Sequence, residues 1–148
     1  MLHENPSVLN LLRCKCPRCR LGNMFKYSNI YNFKKFMIMN DQCEVCHQHF
    51  DIEVGFYYGS GYVSYGVTVF LSVVTLIIWY FLIGFSSSDN RIFYWLIFNA
   101  VLLLALQPYI MRFARTLWLA FFVKYNPRWR TEKPIPPERL NESQKNAW

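Results

Sequence analysis

Two stretches of this chain are apolar without a break: no charged residue stands between Glu53 and Asp89, and none between Arg91 and Arg112. An amphipathic helix on a soluble domain carries a polar stripe, and neither stretch has one. At ~1.5 Å of rise per residue, roughly 20 such residues cross a hydrocarbon layer of about 30 Å. The pattern therefore predicts two membrane-spanning helices, at about 62–85 and about 92–111. Ser86 to Arg91 form a polar turn between them. Ahead of the first span, the glycines and tyrosines of Gly55 to Tyr62 suit the membrane interface, where a tyrosine buries its ring and wets its hydroxyl. The small residues Gly59, Gly61, Ser64 and Gly66 admit either a close helix approach or a flexible entrance to the span. In the second span Asn99 and Gln107 are placed to bond to the first helix, and Pro108 to kink its own.

The flanks follow other rhythms. Phe113, Leu117, Phe121 and Tyr125 recur every fourth residue, with Arg112, Arg115 and Thr116 on the opposite side. This reads as an interfacial helix, or as a continuation of the second span whose arginines snorkel to the head groups. From Asn126 onward, Pro127, Pro134, Pro136 and Pro137 among charged residues predict an extended, loosely ordered tail. Before the spans, Met24 to Met39 is rich in aromatics and β-formers and predicts a hairpin, while Phe50, Ile52 and Val54 alternate with Asp51 and Glu53 as in a strand. The expected fold class is a membrane α-helical protein: a two-helix transmembrane hairpin with a small N-terminal β-rich zinc ribbon and a C-terminal interfacial helix. Its units are a cytosolic segment over 1–54, the hairpin over 55–111, and a helix with a basic tail over 112–148.

Charge then orients the hairpin. The formal net charge is +7, and of the basic residues seven precede Glu53, eight follow Met111 and Arg91 stands alone between the spans. Under the positive-inside rule both basic ends stay in the cytosol of a cell whose cytoplasmic membrane holds the two spans. Met1 to Leu12 carries Glu4 and Pro6 and lacks the apolar stretch of a cleavable signal, so insertion is expected to rely on the spans. The basic excess is best accounted for by orientation and by contact with anionic lipid head groups; nucleic acid is not an expected partner.

A cytosolic location makes the cysteines metal ligands before it makes them disulfides. Cys16-Pro17-Arg18-Cys19 and Cys43-Glu44-Val45-Cys46 are two Cys-x-x-Cys units separated by 23 residues. Two residues between thiols let one tight turn aim both at a single ion, and two such turns complete a tetrahedral four-sulfur set. Cys16, Cys19, Cys43 and Cys46 are the expected ligands and zinc the expected metal, with iron in a rubredoxin-like site as the alternative. Arg18 and Arg20 would offset the charge of a four-thiolate centre. Cys14, one residue from Cys16, fits shared chelation poorly and reads as a bystander; His47 and His49 read as surface residues beside a complete ligand set. The segment before the spans has too few apolar residues for a core of its own, which is where a metal staple is needed.

Cys16 to Arg20, then Met24-Phe25, the second cysteine pair with Phe50 behind it, and Glu53 to Gly59 ahead of an apolar run together resemble a family of small bacterial membrane proteins known as domain of unknown function 983. The resemblance covers about residues 10 to 125. It implies the same architecture and no established activity; some members look as if they belong with cytochrome oxidase assembly genes. His47 departs from the glycine that often follows the last cysteine of such ribbons, a position where a positive φ is easier without a side chain. No Ser-His-Asp set, phosphate-cradling glycine loop or open metal site is present in the sequence. The expected function is thus non-enzymatic, an adaptor or assembly factor with a protein partner. Metal or thiol handling in respiratory-complex assembly is the alternative.

Overall fold

The structure is a computed structural model that describes residues 7–53, 55–84 and 90–137. Along the chain come a single helical turn, α1 (Leu9–Leu12), a 3₁₀ turn at Phe56–Gly59 and two long helices, α2 (Ser60–Ile83) and α3 (Arg91–Phe122). α2 stops at Gly84, whose φ of +75° a residue with a Cβ adopts only with strain. Both helices are long and apolar enough to cross a membrane. They pack as a hairpin, and their outward faces stay bare, with Phe81, Leu82 and Leu104 still 79%, 78% and 76% exposed. In water so much contiguous apolar surface would drive association; in lipid it is solvated.

Between the helices the polar contacts are few and specific. The Asn99 amide donates to Ser72 Oγ at 3.2 Å, and Thr75 Oγ1 donates to Asn99 Oδ1 at 2.9 Å. At the far end Arg91 donates to the Ile83 carbonyl at 2.8 Å, satisfying one of the orphan groups at the end of α2. Asn99 thus bonds to the first helix as expected, whereas Gln107 lies exposed. Of the small residues, Gly59 makes a close approach, to the Trp118 ring; around Gly61 and Gly66 the space is open.

α3 runs for 32 residues, about 48 Å at ~1.5 Å each, which overshoots a hydrocarbon layer of about 30 Å by some three turns. Those turns are the segment that could have been a separate interfacial helix, and they are continuous with the rest of α3. Their arginines do not snorkel to lipid. Arg112 and Arg115 are buried, together with Thr116, against the N-terminal segment. The core lies at this junction, where Met24, Phe25, Met39 and Phe50 meet Phe56, Tyr57, Leu119 and Val123.

The β-rich ribbon is not formed: among the described residues there is no strand, and the expected hairpin keeps a single antiparallel bridge between Phe25 and Met39. Beyond that bridge the backbone carbonyls are committed elsewhere. The Arg112 guanidinium takes those of Phe36 at 2.7 Å and Tyr27 at 2.8 Å, and reaches those of Asn29 and Ser28 at 3.3 and 3.4 Å. The expected strand from Phe50 is likewise diverted, since the Tyr57 hydroxyl donates to the Phe50 carbonyl at 2.6 Å; Val54, at its end, lies outside the described residues. The tail is corrected too. Pro127 to Thr131 form turns and no regular element follows from Lys133 to Pro137, but the segment lies fastened to the cysteine turns; the rest of the expected tail, residues 138–148, lies outside the described residues.

Candidate metal centre

Each cysteine pair sits on a tight turn of the same construction. In the first, the Arg20 N–H bonds to the Cys16 carbonyl at 2.7 Å; in the second, the His47 N–H bonds to the Cys43 carbonyl at 2.9 Å. The residue after each pair then turns back through the left-handed region, Arg20 with φ +60° and His47 with φ +55°. Antiparallel bridges close the two turns, Lys15 to Asn23 and Gln42 to His49. Two copies of one local motif, brought face to face, give four converging thiols.

The sulfurs of Cys16, Cys19, Cys43 and Cys46 lie within 4.8 Å of one another, and all four residues are buried. Cys16 and Cys46 sulfurs are 3.7 Å apart, and those of Cys19 and Cys43 3.6 Å. A tetrahedron with metal–sulfur bonds of ~2.3 Å has edges of about 3.8 Å, so two opposite edges already have the dimension that zinc or iron requires. Backbone N–H groups of Gly22, Cys46 and Gln48 bond to the sulfurs of Cys19, Cys43 and Cys46 and favour their thiolates. Hydrogen bonding among the thiols separates their proton affinities: Cys16 goes up, chiefly through its bond with Cys19, and Cys19 goes down through the same bond. Cys43 is lowered to about 7, chiefly by its bond with Cys16.

Cys14 is not part of this set. Burial pushes its thiol up, while a hydrogen bond with Thr116 and the charge of Arg112, both on α3, pull the other way. It is a packing residue at the junction, with φ +54°. His47 is exposed and His49 half-buried, and neither joins the cluster. Arg18 is buried between the two turns, donating to the Cys46 carbonyl at 3.2 Å.

Two residues matter here that the sequence pattern left unremarked as site residues. A Cβ on Gly22 would stand 2.3 Å from the Cys43 sulfur, so the second turn nests against a position where only hydrogen fits. Gln48, fully buried, exchanges a pair of hydrogen bonds with Ile135 of the tail: its amide donates at 3.2 Å and accepts from the Ile135 N–H at 3.0 Å. Its place two residues after the last cysteine was visible; its tail partner was not.

The family model described as protein of unknown function (DUF983) matches residues 33–122, more than half of the chain, and the chain belongs to that family. The match takes in the second cysteine pair and both long helices, and begins after the first pair. No curated protein and no solved structure matches the chain.

Proposed function

We propose that this protein is a non-enzymatic membrane adaptor: a metal-stapled module in the cytosol, held on an overshooting transmembrane helix and offered there to a protein partner. The observation that carries the reading is the closed and buried set of four sulfurs. Four thiolates fill a tetrahedral shell and leave no position for water or substrate, so the metal serves the fold rather than a reaction. Zinc is the proposed ion. The module cannot stand on its apolar content alone, and a structural zinc supplies folding energy on the order of 10 kcal/mol.

We place both termini in the cytosol and the spans in the cytoplasmic membrane, on the asymmetry of the basic residues. Reporter fusions before Asn5 and after Trp148 should then read cytosol, and one at Ser88 the outside; a cytosolic reading at Ser88 removes the two-span topology. The adaptor reading is tested on protein purified in detergent, by metal analysis followed by challenge with a chelator at neutral pH and by in-cell cross-linking with partner identification. About one zinc per chain that exchanges slowly supports it. Fast release to the competitor would instead favour a metal-delivery role, and the colour of bound iron would replace zinc.

A further inference from the structure

We infer that residues 27–36 form a membrane-penetrating loop, a third contact of this chain with the bilayer, dipping into the leaflet on the module's side between aromatic tips and a basic rim. The inference rests on the reading of α3 as a membrane span.

The loop's base is fixed by an element that belongs to the membrane. Arg112 of α3 holds the carbonyls of Tyr27, Ser28 and Asn29 on one limb and of Phe36 on the other, and Arg115 reaches the Met37 carbonyl at 3.4 Å. From that base the loop runs along α3 toward the apolar stretch, because the Tyr31 hydroxyl donates to the carbonyl of Ala105 at 3.3 Å. Ala105 is seven residues before Arg112, about 10 Å further into the span. That is the depth at which interfacial elements bury their apolar side chains.

What the loop presents fits that depth. Tyr31 and Phe33 are 62% and 73% exposed, against 36% for Tyr27 at the loop's base and 8% for Phe25 behind it. Lys34 and Lys35 follow directly and are exposed, in the arrangement by which lysine stems lie along acyl chains while their ammonium groups reach the phosphates. Above the loop, between its base and Tyr109, lies a cavity of about 360 Å³ whose charged lining residues are Arg13, Lys26 and Arg112, with no carboxylate. An opening with only positive charge at the level of the head groups complements an anionic phospholipid. Water as the sole neighbour of Phe33 would leave a large ring exposed on a rigidly held loop beside a lipid-facing helix.

The test uses the full chain with its metal, reconstituted into vesicles of phosphatidylglycerol and phosphatidylethanolamine. A keto amino acid bearing a nitroxide replaces Phe33, or Phe81 in α2, or Glu44 on the second cysteine turn, and collision with oxygen and with a water-soluble nickel chelate is measured. The Phe33 label should match the Phe81 label, several-fold richer in oxygen collisions than the Glu44 label and shielded from nickel. A Phe33 label that behaves like the one at Glu44, while Phe81 stays in lipid, overturns the loop and leaves the spans intact. A Phe81 label that meets nickel freely overturns the span and the loop with it. Because a bulky label can itself move a loop, hydroxyl-radical footprinting of the unaltered protein in the same vesicles gives a second reading. Tyr31 and Phe33 should be protected as strongly as Tyr80 and Phe81, and reactivity far above theirs overturns the inference.

Discussion

At Gly22 the chain has room for a hydrogen and for little else, because the added methyl of an alanine would sit 2.3 Å from the Cys43 sulfur. Overpacking at such a contact costs about 1–3 kcal/mol, and here it falls on one of the four cysteines proposed to hold the metal. Gly22→Ala should therefore weaken metal retention roughly tenfold against a chelator, and unchanged retention would show that the two turns yield more easily than their packing implies. His47 makes the complementary case. Its φ of +55° is the strained term and its imidazole is exposed, so His47→Gly should hold metal at least as well, while His47→Val should loosen it by about 1–2 kcal/mol. Metal loss in His47→Gly would make the imidazole a ligand after all. Cys14→Ser should leave metal content nearly unchanged, since Cys14 packs on Thr116 and Arg112 outside the sulfur cluster, whereas Cys16→Ser and Cys46→Ser should each deplete it, read by elemental analysis of purified protein. The four sulfurs were legible from sequence because the spacing that aims two thiols at one ion is local. Gly22 was legible only as a turn former, because the atom that forbids its side chain belongs to the other turn.

The apolar runs that became α2 and α3 needed no tertiary information, since their lack of charge is itself the solvent statement. The end of α3 was ambiguous for a physical reason. A stripe of Phe and Leu opposite a stripe of Arg and Thr suits a lipid surface and suits a docked helix equally, and the partners that decide are carbonyls of a loop far back in the chain. The same interaction dissolved the expected hairpin, whose carbonyls Arg112 recruits from both limbs. The two kinds of polar contact made by α3 should accordingly differ in weight. Arg112→Met strands several half-buried carbonyls that had a charged donor, a loss on the order of 3 kcal/mol. Asn99→Leu removes contacts to Ser72 and Thr75 between α2 and α3; between helices in a bilayer such bonds average about 0.6 kcal/mol. In detergent, Arg112→Met should lower the unfolding temperature of the module and open the Lys34-Lys35 bond to trypsin, and Asn99→Leu should do neither. Equal effects would mean that the hairpin, and not the clamp, limits stability.

Over the whole molecule, the module, the end of α3 and the tail close into one unit, with the metal turns at its centre. The tail was expected to be loose because proline and charge leave little to bury; of its described residues Trp129, half-buried, packs against the core, while Pro127, Arg128 and Arg130 stay exposed. What holds it is a set of backbone groups met by residues of the two cysteine turns. Arg18, between Cys16 and Cys19, donates to the carbonyls of Glu132 at 2.7 Å and Lys133 at 2.9 Å, its own carbonyl accepts from the Asn126 N–H at 3.1 Å, and Gln48 pairs with Ile135. Each such bond contributes only about 1 kcal/mol, while a metal held by the four sulfurs would contribute on the order of 10 to the fold of the turns that supply them. Removing the metal should therefore release the tail as a single event. In trypsin digests at neutral pH, chelation should raise cleavage after Arg128 and Arg130 by more than about tenfold, the factor that corresponds to losing the first 1.4 kcal/mol of that restraint. The two long helices should stay protected, since their apolar content owes nothing to the metal. Arg18→Ala separates the links, for it should free the tail while elemental analysis still finds the metal in place. Tail cleavage that ignores both chelation and Arg18→Ala would mean that the tail is held from elsewhere, and that the cysteine turns do not organise it.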